Sequence, residues 1–162
     1  MVSLLSGTEI SFDQVTSRRV RQFDAYWRSK LREGIDGILP RREDIDAAEI
    51  KPLLPFLVIV DIEAGPFRVR YRLCGSAVSY YDEELTGKYL EDLRNTSPDE
   101  IDLIRQFYHT AVFQRRPVYA RVSGRSRQTG NDLTLVGAIW PLSSDGQRVD
   151  KCAAIEDFPG IG

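Results

Sequence analysis

Residues 56–75 read FLVIVDIEAGPFRVRYRLCG, and the fold turns on how this stretch divides. Phe56 to Ile62 is a continuous, largely β-branched run of strand length, which suits a central strand covered on both faces. Phe67, Val69, Tyr71 and Leu73 then alternate with Arg68, Arg70 and Arg72, so this run has one apolar and one basic face. Glu63 to Pro66 supplies the glycine and proline of a turn, and the two runs are expected to pair as a hairpin.

Downstream, Gly75 breaks the second strand, and short irregular apolar groups up to Leu93, with Gly87 as a turn residue, predict small helical turns and loops. Ser97-Pro98-Asp99-Glu100 combines an N-cap, a proline at the first helical position and a capping-box glutamate. The helix it starts carries Ile101, Ile104, Phe107, Tyr108, Ala111 and Val112 on one face, and Pro117 stops it. Three strands are expected next: Val118 to Arg127, Leu133 to Leu142 and Val149 to Glu156, joined by turns at 129–132 and 143–146. Pro159, Gly160 and Gly162 predict a short tail.

Upstream, residues 1–17 are polar and aperiodic and read as a loose lead-in. Val20, Phe23, Trp27 and Leu31 recur at helical spacing within Arg18 to Glu33, with Gly34 placed to end that helix. After a loop to Arg42, Asp44 or Asp46 can cap a short helix ending before Pro52 and Pro55. The expected division is therefore a lead-in at 1–17, a helical extension at 18–55, a core at 56–158 and a tail at 159–162.

The 162 residues suffice for one well-buried domain. Twenty-two basic against 24 acidic residues leave a net charge of -2, which gives no overall attraction to nucleic acid or anionic membrane. No apolar run approaches the roughly 20 residues of a membrane span, and Met1 to Gly7 lacks a signal-peptide pattern, so a cytoplasmic location is expected. Cys74 and Cys152 lie far apart on predicted strands and read as free, buried thiols rather than a metal or redox pair.

Two strands, a helical interruption and three strands joined by tight turns describe an α+β domain, an antiparallel sheet with helices gathered on one face. Tyr26-Trp27, Ile45-Asp46, Ile50-Lys51-Pro52-Leu53-Leu54-Pro55, Asp61, Tyr71-Arg72-Leu73-Cys74-Gly75, Leu85-Thr86-Gly87 and Pro141-Leu142 stand in matching order. On these marks, which cover most of the chain, it resembles the PAS-like family of small alphaproteobacterial proteins first catalogued as a domain of unknown function. The resemblance implies a five-stranded sheet in the order two, one, five, four, three, with the amphipathic N-terminal helix outside it. It also implies a sensory or signalling module rather than an enzyme, one that passes its signal by associating with another protein, itself included. It does not imply a particular ligand, since members of such families hold haem, flavin, metabolites or nothing.

Candidate sites follow from the residues. Tyr80, Tyr81, Tyr89, Phe107, Tyr108 and Trp140, with small residues at Gly137, Ala138, Ala153 and Ala154, can line a ligand pocket between the long helix and the sheet, or simply pack a filled core. Phe23, Tyr26, Trp27 and Leu31 can anchor a homodimer or dock the helix onto its own sheet. Arg68, Arg70 and Arg72 can form an anion site with Arg121, Arg125 and Arg127 if their strands are neighbours; a solvated sheet face is the plainer reading. No phosphate loop or nucleic-acid motif supports a nucleic-acid partner.

Haem ligation through His109 is disfavoured because helical phase places it beside Asp102, Arg105 and Gln106, away from the apolar stripe. Flavin photochemistry is disfavoured because neither cysteine lies on a short helix, and no cofactor or metal site is expected. No nucleophile or zinc-hydrolase motif is present. The alternative is an enzyme of ketosteroid-isomerase type, a cone-shaped α+β fold with a buried carboxylate, for which Asp61, Glu63, Asp150 and Glu156 are the acids on or near strands.

Overall fold

A computed structural model describes residues 2–31, 38–78 and 83–158. Its strands are β1 (Val2–Ile10), β2 (Leu57–Ala64), β3 (Phe67–Cys74), β4 (Val118–Ser126), β5 (Asp132–Leu142) and β6 (Lys151–Asp157). The two α-helices are α1 (Arg18–Ser29) and α2 (Pro98–Gln114), and 3-10 turns occupy much of the connection from α1 to β2. One antiparallel sheet has the order β1-β4-β5-β6-β2-β3. Without β1 this is the expected order two, one, five, four, three.

The sixth strand corrects the reading of residues 1–17 as a loose lead-in. β1 pairs antiparallel with β4 from Val2 opposite Ser126 to Ile10 opposite Tyr119, with a bulge between Leu4 and Ser6. An edge strand half exposed on both faces needs no apolar alternation, and its bulge shifts the phase, which is why the periodicity is silent.

The α2 expectation holds in detail. Ser97 Oγ accepts from Glu100 N at 3.2 Å, and Glu100 Oε2 accepts from Ser97 N at 2.7 Å. The helix ends on Arg115 in the left-handed region at φ 54°. α1 begins at Arg18 as expected but ends at Ser29, before Glu33; Gly34 lies outside the described residues. Asp46 caps a 3-10 turn by accepting from Ala48 N. That turn, Ala47–Glu49, ends before Pro52 and Pro55 as expected, and a separate 3-10 turn, Lys51–Phe56, takes both prolines in, because a turn this short needs few of the amides that proline lacks.

Side chains alternate across the sheet, and the two helices divide its faces. α2 covers the face of Val118, Ala120, Leu135, Ile139 and Ala154. α1 lies on the opposite face, where Phe23 packs on Trp140 with ring centroids 4.6 Å apart and Trp27 Nε1 donates to Pro141 O at 3.0 Å. Helices therefore flank both faces rather than gathering on one, and β5 and β6, buried between them, form the centre of the core. Among the described residues no helix is long and apolar enough to cross a membrane.

Candidate functional site

The capping box fixes where α2 starts, and the phase of the helix then turns Ile104, Tyr108 and Phe107 toward the sheet. They roof a cavity of about 40 Å³ whose floor is Val118, Ala120 and Val122 of β4, Leu135, Gly137 and Ile139 of β5, and Ala154 and Glu156 of β6. Leu4 of β1 and Leu103 of α2 close one side. The volume exists because Ala120, Gly137 and Ala154 leave almost no side chain over the centre of the sheet.

Glu156 brings the single carboxylate into this apolar lining, and its Oε2 is shielded from solvent. Tyr108 is buried, and burial, reinforced by Tyr71, Cys152, Glu156 and Cys74 nearby, holds its hydroxyl protonated far above the usual phenol range. Burial also raises the Cys152 thiol strongly and lifts Cys74 to about 11, so both stay protonated near neutrality. The site is an apolar chamber with one acidic side chain, Glu156, and one neutral hydroxyl, that of Tyr108. It suits a small, mainly apolar molecule carrying a hydrogen-bond donor.

Of the ten pocket candidates, Phe107, Tyr108, Gly137, Ala138 and Ala154 line the cavity. Trp140 and Ala153 belong to the opposite face by the alternation of β5 and β6, and Trp140 is covered there by α1. Tyr89 sits at the β3 edge, its ring beneath the Arg68 guanidinium at 3.3 Å and its hydroxyl donating to Glu63 at 2.6 Å. Tyr80 and Tyr81 lie outside the described residues. The alternation of β5 and β6 separates two residue sets that the sequence reading merged; projecting Gly137 by twos would have found Leu135 and Ile139.

The proposed dimer anchors are used within the chain. Phe23 and Trp27 are fully covered by the sheet, Tyr26 donates to Asp44 O at 3.1 Å and to Glu49 at 3.0 Å, and Leu31 packs against the core. Here the sequence missed Asp24, one residue after Phe23 on the same stripe. Its buried carboxylate accepts from Trp140 Nε1 at 3.0 Å, from Arg28 Nε at 2.7 Å and from the Tyr119 hydroxyl. An acid among apolar residues at helical spacing was the available signal.

The two arginine rows do not form one anion site, because β5, β6 and β2 separate β4 from β3. Arg68 pairs with Glu91, Arg72 with Asp61, and Arg125 with Asp132 at 2.8 Å; Arg70 donates to Gly87 O at 3.2 Å, and Arg121 is exposed on β4. Burial would raise the Asp61 carboxyl, but hydrogen bonds from Lys151 and Arg72 outweigh it and hold the group below its usual range.

His109 lies on the exposed side of α2, with Phe67 at 5.2 Å and Phe113 at 4.3 Å between ring centroids, and so faces away from the cavity, as its phase predicts. Among the described residues no group of three or more His, Cys, Asp or Glu side chains is placed to hold a metal. Of the candidate acids, Asp61 is ion-paired, Glu63 accepts from Tyr89, and Asp150 accepts from Ser144 N at 3.1 Å, so Glu156 alone of the four reaches the cavity.

A search of curated proteins returned no match to the chain. A family model described as PAS domain matches residues 15–153, a span that takes in α1, β2 to β5 and the first residues of β6. With the sheet order and the helix-roofed cavity, that match establishes that the chain belongs to the PAS domain family.

Proposed function

We propose that this PAS domain is a sensory module whose input is a small, mainly apolar ligand held between α2 and the sheet, and whose output is association with another protein. The observation that carries the reading is the half-open apolar cavity with Glu156 in its wall. A packed core would have filled that space, whereas Gly137 and Ala154 leave it open at the point where α2 arches over the sheet. At about 40 Å³ the cavity holds roughly three waters, taking about 10–15 Å³ for each, so a ligand larger than this must displace a wall as it binds.

The output surface is proposed on the outside of α2, where Phe113 is 59% exposed beside His109 and Phe67. An apolar ring cluster left in water is a common core for a protein contact, and a second copy of this chain is the first candidate for its partner. The ketosteroid-isomerase reading is set aside because the strand order and the family match are those of PAS domains, typically sensory rather than catalytic modules.

Native mass spectrometry of freshly purified protein, with an absorption spectrum, tests both halves. A stoichiometric extra mass supports the ligand, and a doubled mass that Phe113→Glu abolishes supports the association surface. A bare monomer on gentle ionisation counts against both.

A further inference from the structure

We infer that β1 is a strap that walls one side of the cavity, and that ligand access runs between β1 and α2. The inference concerns the regulation of the cavity and, for ligand access, rests on its reading as a sensory site. Leu4 of β1 lines the cavity together with Leu103 and Phe107 of α2. At Gly7 the Phe107 ring lies against the strand backbone, where a Cβ would stand only 3.0 Å from it.

Two polar clasps hold the strand. Near its start, Glu100 Oε1 accepts from Leu4 N at 2.5 Å while Arg127 Nε donates to Ser3 Oγ at 2.8 Å. Near its end, Glu9 pairs with Arg116 at 3.0 Å. The strand otherwise buries little: among Val2–Ile10 only Ile10 is buried, whereas β5 and β6 are covered on both faces and α2 buries Ile101, Ile104, Tyr108 and Ala111. Of the cavity's walls, β1 buries the fewest residues, so it opens first. β1 also falls outside residues 15–153, the part of the chain that matches the family.

Undocking β1 removes Leu4 from the cavity wall and frees the β4 edge, which is paired only with β1 on that side. A ligand that expands the cavity therefore favours a state in which β4 can pair with a different strand, linking occupancy to association.

Amide hydrogen exchange on the full chain tests the strap without any ligand. β1 amides should exchange at least ~100-fold faster than those of β5 and β6 under native conditions. Glu100→Ala or Arg116→Ala should speed β1 further without a matching rise in β5 and β6; the second variant leaves the α2 cap intact. Exchange of β1 and β5 together in one step overturns the strap.

A staple tests access. Thr8 faces Arg121 in register, and facing antiparallel Cα atoms stand about 4.5–5.5 Å apart, within disulfide range. Thr8→Cys with Arg121→Cys should slow the uptake of indole, an apolar probe with one N–H donor, at least ~10-fold, and reduction should restore it. Equal uptake by stapled and reduced protein overturns the access route. Indole bound by neither form overturns the cavity reading and the access route with it, while exchange still decides the strap.

Discussion

Asp24 in α1 accepts a hydrogen bond at 3.0 Å from Nε1 of Trp140, at the centre of β5, and so pins the first helix to the middle of the sheet. The same carboxylate accepts from the Tyr119 hydroxyl and from Arg28, satisfying three donors that α1 and the sheet bury or half-bury between them. A charge this deep is tolerated because each partner is supplied, and removing it strands them all. Asp24→Ala should therefore destabilise the fold by about 3–5 kcal/mol in urea denaturation, with Asp24→Asn, which keeps one acceptor and the volume, costing about half as much. A loss below 1 kcal/mol for Asp24→Ala would show that α1 is held by its apolar stripe alone.

Gly137 sits on the cavity floor with room for a side chain. A Cβ there would stand 3.5 Å from Ile155 O and 3.6 Å from Glu156 Cγ, both ordinary contacts. Gly137→Ala should stabilise the protein by about 0.5–1 kcal/mol, because alanine orders the unfolded strand less expensively than glycine and fills empty space. The midpoint of denaturation should rise; a fall would mean that the space is not there.

Ser97 and Glu100 share a capping box but not a workload. Ser97→Ala should cost about 1 kcal/mol, the usual value of an N-cap. Glu100→Ala should cost more, about 2–3 kcal/mol, since the buried carboxylate also accepts from Leu4 N and stands 3.7 Å from Arg127. Equal losses would show that the tie to β1 carries no stability.

The thiols should differ in accessibility and agree in reluctance. Cys74 is half-buried with its thiol raised to about 11, which leaves about one thiolate in a thousand at pH 8. Because the shift is upward, alkylation by iodoacetamide should quicken about tenfold per pH unit until pH approaches 11. Cys152, buried in β6, should react only when the protein unfolds. Rapid labelling of Cys152 in the native state would contradict the packing of β6 between the helices.

Much of this architecture was legible because it is written in local periodicity. The alternation from Phe67 to Leu73, the Ser97–Glu100 cap and the turns between the last strands each specify an element within a few residues, and their order gives the sheet. β1 was not legible, because its contacts are with Ser126 to Tyr119 and with Glu100, far along the chain, and an edge strand has little apolar pattern of its own. The site was half legible. Phe107, Tyr108, Gly137 and Ala154 were found from residue type, but Trp140 and Ala153 needed strand phase to be assigned to the other face. Asp24 was passed over as a polar residue on a helix, although its place beside Phe23 put it under the sheet.

The measurement closest to the central claim is an amide-resolved NMR titration of the full chain with indole, run beside Gly137→Leu. Indole should give saturable shifts that centre on Ile104, Tyr108, Gly137 and Ala154 and extend to Leu4, all lost when leucine occupies the floor of the cavity. Shifts confined to the outer surface, or an undiminished response in a folded Gly137→Leu protein, would contradict a ligand site beneath α2.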